Sequence, residues 1–470
     1  MTMKLIIRYI LFFLAVAILP SCEKYLDVNN NPNSATKPPI NGLLIGTTQH
    51  TAMNVFRVAN TTSYYVQYLA NTSLAGATDT YEPIDASKTW TSLYDNMTDI
   101  YDLQKLGEEK GATKYQGVAK IMMAMNLQLV HNLWGDAPYS DAFTGEVLTP
   151  KYDDAQTIFQ TCLTLLDEGI TLLKSTAPTI DLPADADLIH HGDTDAWQLT
   201  AHALKARLLN QLSKTPQYNA SSIFAELAGA YTSAADDAFI NTFDIRNPWD
   251  SLAVDNAALN LDGWLSTNYV DAMNGTTYGI FDPRLPLTAS LTKFGDYRGT
   301  RNGGDRVGTG TDMEESYISL SGYYSSTSSP LYIITYEEMK FIEAEAAFRS
   351  NDLPRAYAAY IEGITANMNK MGVAASARDA YINDPSVSVG EAGLTLGLIF
   401  KEKYKALFLM PVTWDDARRF DYGYKEFQLP LNVATTTFIR RLVYPTVETG
   451  RNSENVPAVS DVTQRLWWDQ

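Results

Sequence analysis

Apolar residues recurring every three or four positions constrain this chain more than any other feature. Over 115–133, Tyr115, Val118, Met122, Met125, Leu129 and Leu133 keep a 3.6-residue period, and Gly135 follows the run. Ile158, Cys162, Leu165, Leu166 and Leu173 share a face over 154–173, as do Trp197, Ala201, Leu204, Leu208 and Leu212 over 195–212. A further stripe over 394–409 carries Leu394, Leu398, Phe400, Lys401, Tyr404 and Leu407. Such runs predict amphipathic helices that must stack on one another to hide their apolar faces. Cys162, on a stripe, reads as a buried and inert thiol.

The clearest local pattern is a helix pair over 335–350 and 354–371. Thr335 and Glu338 have capping-box spacing, and Met339, Ile342 and Ala346 form the first stripe. Asn351-Asp352-Leu353-Pro354 makes the turn, with proline in the first turn of the second helix. Tyr357, Ile361, Ile364 and Met368 continue the pattern, and Gly372 ends it. The pair resembles a tetratricopeptide-type repeat, with Ala346 and Tyr357 expected at or near its seam. The fold class expected is therefore mostly α, with tetratricopeptide-like pairs packed against an irregular, loop-rich half holding a few short strands.

That second half has its own texture. Residues 240–330 are rich in Gly, Ser, Tyr and Pro with few helical stripes, and 60–100 is dense in aromatics. Long irregular segments inside a compact protein commonly carry function. With 45% hydrophobic and 19% charged residues, 470 residues can bury a large core. A net charge of −18 excludes a nucleic-acid binder and disfavours adsorption to anionic lipid.

The N-terminus reads as an address. Lys4 and Arg8 precede an apolar run, Ile10 to Leu19, too short to span a bilayer, and Leu19-Pro20-Ser21-Cys22 resembles a bacterial lipobox. Residues 1–21 are then a signal peptide, Cys22 a lipidated N-terminus, 22–42 a tether, and 43–470 one domain. The only other cysteine is Cys162, so no internal disulfide is expected. Asp27, Asn29, Asn31 and Asn33 alternate as calcium-loop ligands do, but Pro32 stands where such a loop turns on glycine, so turn chemistry is the expectation. His190-His191-Gly192-Asp193 lacks a third ligand at helical spacing, and no metal is expected there. There is no Gly-x-Ser-x-Gly elbow, Walker loop or His-Glu-x-x-His. Neither catalysis nor a cofactor is expected, though 54 acidic residues leave room for a carboxylate pair.

Several segments together resemble the SusD/RagB family of nutrient-binding lipoproteins. They are Cys22-Glu23-Lys24-Tyr25-Leu26-Asp27-Val28-Asn29 with Asn31-Pro32-Asn33, then Trp134 to Phe143, then His191-Gly192-Asp193 leading to Trp197. Trp414-Asp415-Asp416-Ala417-Arg418-Arg419, Arg440 to Pro445, and Leu466-Trp467-Trp468-Asp469 complete the order. His202 stands where the family pattern has asparagine. The resemblance implies a helical-repeat half from 43–240 and 331–410, a loop-rich part at about 241–330 and a C-terminal segment 411–470. It further implies a surface lipoprotein of the outer membrane, partnered with a SusC-like TonB-dependent transporter. Its ligand would be a nutrient, an oligosaccharide or else a peptide, and it would do no chemistry. A protein-interaction scaffold or a glycan-degrading enzyme are the rival classes. Trp134 to Tyr139, the Asp415–Arg419 charges and the Trp467–Trp468 tail read as structural.

Aromatics in polar loops need a reason other than packing, and stacking on a sugar or peptide face supplies one. On that ground the expected ligand residues are Tyr81, Trp90, Asn96, Trp249, Tyr297, Arg301 and Tyr323. Trp264, Arg298 and Asn302 stand beside them in the sequence, with Trp264 read as a packing residue.

Overall fold

A computed structural model describes residues 38–72, 76–258, 264–304 and 313–470, together with Met3 and Leu74. Cys22 and the Asp27–Asn33 run lie outside the described residues. The chain divides into units at 1–39 and 40–470, and the second is described here.

Fourteen α-helices occur among the described residues. Six follow in order: α1 (Ile40–Tyr65), α2 (Ser87–Lys110), α3 (Thr113–Trp134), α4 (Ala155–Leu173), α5 (Thr194–Gln211) and α6 (Ala220–Leu227). Each packs on its sequence neighbour, so the array grows helix by helix. Helix α3 sits at its centre and is buried on nearly every side from Val118 to Trp134, the pattern of a helix enclosed by others. The buried Asn126 amide on α3 is fully paired: it donates to the Met122 carbonyl and to Thr51, and accepts from Asn54 and Asn96. Side-chain caps start several helices, with Asp154 accepting from Gln156 N and Thr157 N, and Asp193 from Asp195 N and Ala196 N.

Helices α7 (Pro248–Ala257) and α8 (Thr267–Asn274) belong to the irregular half. Two small antiparallel ladders stitch that half to the rest. Strand β1 (Leu69–Ala70) pairs with β3 (Trp264–Leu265), and β2 (Ala238–Ile240) pairs with β4 (Leu331–Ile334). A buried guanidinium pins it further: Arg284 donates to Asp282, Asn367 and Glu402 at 2.7–3.1 Å. Leaving such a charge unpaired in the interior would be costly, so the Asp282-Pro283-Arg284 loop is fixed against the helices.

Helices α9 (Tyr336–Arg349) and α10 (Leu353–Lys370) form the antiparallel pair, and α11 (Ala375–Ile382), α12 (Leu396–Ala406), α13 (Val412–Arg419) and α14 (Thr446–Arg451) follow. Two details correct the sequence reading. Thr335 makes no cap, because Glu338 is held by Arg207 at 2.6 Å and cannot reach back. The Tyr336 N–H is taken instead by Asp237, 99 residues away in sequence. The α9–α10 seam carries Phe341, Ala344, Ala347, Ala356, Ala359 and Tyr360, with Tyr357 at its edge. Ala346 lies on the opposite side of α9, in the main core. No helix among the described residues is long and apolar enough to cross a membrane.

Candidate ligand-binding site

The corners and charge clusters are structural. At the end of α3, Gly135 takes φ +88°, the Trp134 indole donates to the Val443 carbonyl, and Asp136 accepts from Ala155 N. Arg418 is fully buried, donates to the Asn132 and Arg440 carbonyls at 2.8 Å, and lies between the rings of Trp414 and Trp468. Burial pushes its partner Asp415 up to about 6, against the pull of the arginine. The Trp467 indole donates to His131, whose burial lowers it to about 4 and keeps it a neutral acceptor. His190 is likewise lowered to about 4 by burial and bonds Thr200 at 2.6 Å.

Four of the residues expected to meet ligand are core residues, and the reason is the same in each case. Trp90 lies on α2, not in a loop, stacked on Tyr94 and edge-on to Trp134 with ring centroids 4.9 Å apart. Asn96, on the same helix, donates to Thr51 and Asn126 inside the core. Trp249 begins α7 and meets Phe56 edge-on at 4.7 Å. Tyr81 is wholly buried beside Tyr65. None presents a face to solvent. Trp264 is buried in β3 against Tyr317. Tyr323 is half-buried, its hydroxyl 2.6 Å from that of Tyr332.

Arg301 and Tyr297 remain at the surface. Arg301 is exposed and lines a cleft of about 350 Å³ shared with Gln67, Ser266, Asn268, Asp271, Asn302, Glu426 and Gln428. Asn302 fixes its wall by donating to the Leu69 carbonyl and to Asp79, while the Ser266 hydroxyl donates to it. Burial raises Asp79 to about 6 although Gly303 N, Asn71 N and Asn302 all donate to it. The opposite wall comes from the C-terminal segment. Gln67 donates to the Gln428 carbonyl at 2.7 Å, and Leu431 N donates to the Asn302 carbonyl. Gly303 sits at φ +70° so tightly against Leu431 that a Cβ would collide with its carbonyl. The Asn268 amide donates to Tyr404, whose hydroxyl donates to the Val66 and Gln67 carbonyls.

Two carboxylates, Asp271 and Glu426, share this cleft, and Asp271 is raised by burial and then by the charge of Glu426. The Asn274 amide bridges Asp271 to the Tyr297 carbonyl. Tyr297 thereby stands beside the cleft, its ring 6.3 Å from that of Phe281, which is 47% exposed. Phe294 is 55% exposed under the Arg298 guanidinium, itself held by Asp296. Amides, hydroxyls, carboxylates and one guanidinium thus converge in one cleft, tied through Asn274 to the backbone of Tyr297. Of the residues lining the cleft, the sequence singles out Arg301 and Asn302 but not Gln67, Asn268, Asp271, Glu426 and Gln428. Gln67 and Glu426 both have positive φ, a feature their residue types do not announce.

The comparisons agree with this fold. A SusD/RagB family structure from Bacteroides thetaiotaomicron superposes with a TM-score of 0.75 at 21% identity, covering 92% of this chain and 99% of that one. A chitin-binding SusD homologue from Flavobacterium johnsoniae gives 0.76 at 21% identity, covering 92% and 97%. A SusD homologue from Bacteroides ovatus gives 0.76 at 20% identity, covering 92% and 99%. No curated protein sequence matches the chain. A family model, SusD-like, described as starch-binding and associating with the outer membrane, matches residues 30–445. The chain therefore belongs to the SusD-like family.

Proposed function

We propose that the protein binds an oligosaccharide in the Arg301 cleft and passes it to a SusC-like TonB-dependent transporter, held at the cell surface by a lipid on Cys22. One observation carries the binding half: a cleft gathers amide, hydroxyl, carboxylate and guanidinium groups, and Asn274 ties its Asp271 wall to the backbone of Tyr297, whose half-buried ring neighbours the exposed Phe281. Sugar hydroxyls both donate and accept, so they suit a mixed lining of this kind, while the apolar sugar face suits an aromatic ring. The family model and the chitin-binding homologue support a glycan as the ligand class. Asp271 and Glu426 serve here as acceptors for sugar hydroxyls, and no bond is cleaved.

Calorimetric titration with starch- and chitin-derived oligosaccharides tests this reading. Arg301→Ala and Tyr297→Ala should each weaken binding about tenfold or more, with melting temperature unchanged. Variants that bind as tightly as the parent would place the ligand elsewhere, and release of reducing ends from the sugar would make the protein an enzyme. For the partner, extraction of membranes in mild detergent should recover a large β-barrel with the protein, and Cys22→Ala should free the protein from the membrane. Recovery of the protein alone, or a membrane-bound Cys22→Ala variant, would contradict this half.

A further inference from the structure

A second cleft, of about 420 Å³, lies between α1 and the segment that leads into α7. Its lining includes Gln49, His50 and Arg57 from α1, and Asp244, Arg246 and Ser251 from the other side. It is separate from the Arg301 cleft. Helix α1 rises about 12 Å between Arg57 and Tyr65, and Gln67 stands beyond its end.

Arg57 is the unusual group. Its Nη1 is buried without a hydrogen-bond partner, and no ion pair to its guanidinium occurs among the described residues. Burial without compensation also holds it below its ordinary value. Arg57 is half-buried, whereas the fully buried arginines Arg284, Arg418 and Arg419 each have a carboxylate partner: Asp282 and Glu402, Asp415, and Glu345. Arg246 adds a second cation, held loosely to Asp250 at 3.5 Å. In a molecule of net charge −18, two guanidinium groups on one cleft make a local centre for an anion.

The rest of the lining narrows the anion. Asp244, exposed at the rim, disfavours a multiply charged anion and can accept from a ligand's hydroxyl donors. Gln49 and Ser251 offer partners for hydroxyls. Sulfate and phosphate carry no donor for Asp244 in their fully ionised forms, whereas a hydroxylated carboxylic acid satisfies both demands. We propose that this cleft binds the carboxylate of an acidic sugar, a uronate, on Arg57, with its hydroxyls on Asp244, Gln49 and Ser251. The carboxylate half rests on the cleft itself, and the sugar half rests on the glycan-binding function proposed above.

The test is a titration of the whole protein with digalacturonate and with its methyl ester, which keeps the hydroxyls and removes the charge. The acid should bind, the ester should bind about tenfold more weakly or less, and Arg57→Gln should lose about tenfold in affinity for the acid alone. Because Arg57 has no partner to lose, the melting temperature of Arg57→Gln should not fall. If that variant does not fold, Arg246→Gln replaces it, with a smaller loss and a weaker salt dependence expected. Arg301→Ala should retain the Arg57-dependent binding of the acid. Equal binding of acid and ester, no binding of the acid at millimolar concentration, or equal binding of an acidic tripeptide would overturn the proposal. Loss of acid binding in Arg301→Ala would also overturn it while leaving the first cleft's function standing. Binding of the acid through Arg57 with no binding of neutral oligosaccharide would uphold it and remove the function proposed for the first cleft.

Discussion

Trp90 shows how a residue's neighbours decide its role. Its ring fills the space between Trp134, Tyr94 and Tyr444, and it is 3% exposed. Trp90→Ala should therefore act on stability, opening a cavity worth about 3–5 kcal/mol. Urea unfolding measures that loss, and a variant as stable as the parent would contradict the packing role. The sequence does hold the signal: Trp90, Leu93, Met97, Ile100 and Leu103 keep a helical period on α2. The polar residues between them, and the turn-forming run before Ser87, give the segment the texture of a loop. Arg301 behaves oppositely. It sits among Gly299, Asn302, Gly303 and Gly304, where no stripe can bury it, and it stays exposed. Composition around a residue thus identifies surface groups well when periodicity is truly absent, and misleads when a sparse stripe runs through polar sequence.

At the scale of elements, the α9–α10 pair was legible because everything that specifies it is local. The Asn351-Asp352-Leu353-Pro354 turn holds Asn351 at φ +61°, Asp352 caps α10 through Arg355 N, and Gly372 leaves the helix at φ +76°. The face each helix turns to its partner was less legible, since alanines occur on two sides of α9. Ala347 lies in the seam cluster, so Ala347→Leu should overpack it and cost about 1–3 kcal/mol in thermal or urea unfolding. A neutral outcome would mean the seam is loose.

The same helix carries a buried carboxylate with a pH signature. Glu345 accepts from Arg419 at 2.7 Å, Arg349 at 2.9 Å and Asn210 at 2.8 Å. Burial alone would raise Glu345, but the charge of Arg419 and its hydrogen bonds outweigh burial and hold it well below 4.5. A carboxyl depressed on folding lends stability above its unfolded value and loses it as pH falls through the folded one. Asp79 and Asp415, both raised to about 6, act the other way, since the folded form keeps their protons as pH climbs from about 4 to 6. The difference between parent and Glu345→Gln isolates the first effect. The variant should be less stable by about 3 kcal/mol at pH 7, because Arg419 loses a buried charge partner, and the gap should close below pH 4.5. A gap that stays constant with pH would show that folding leaves the Glu345 carboxyl unshifted, and one that shrinks as pH rises would show that it is protonated in the fold.

The whole molecule joins pieces that no local pattern connects. The helical layer follows from period and capping, and it emerged from the sequence as a mostly α architecture. The Arg301 cleft does not follow, because its walls are brought together by tertiary bonds: Gln67 meets Gln428 across 361 positions, and Asn302 meets Leu69 across 233. Strands of two residues, Leu69–Ala70 and Trp264–Leu265, set that meeting and are too short to announce themselves. The family order of segments was legible because corners such as Trp134–Asp136 and ion pairs such as Asp415–Arg418 need fixed residue types. These are structural needs, and they identify the scaffold without specifying a ligand site.

The proposed function stands on a glycan sitting in the Arg301 cleft. A crystal structure of the protein with a bound oligosaccharide tests it most directly. The predicted result is a sugar whose hydroxyls lie within hydrogen-bond reach of Arg301 and Asp271, with one ring face over Tyr297. A sugar bound elsewhere on the domain, with this cleft left to solvent, would contradict it.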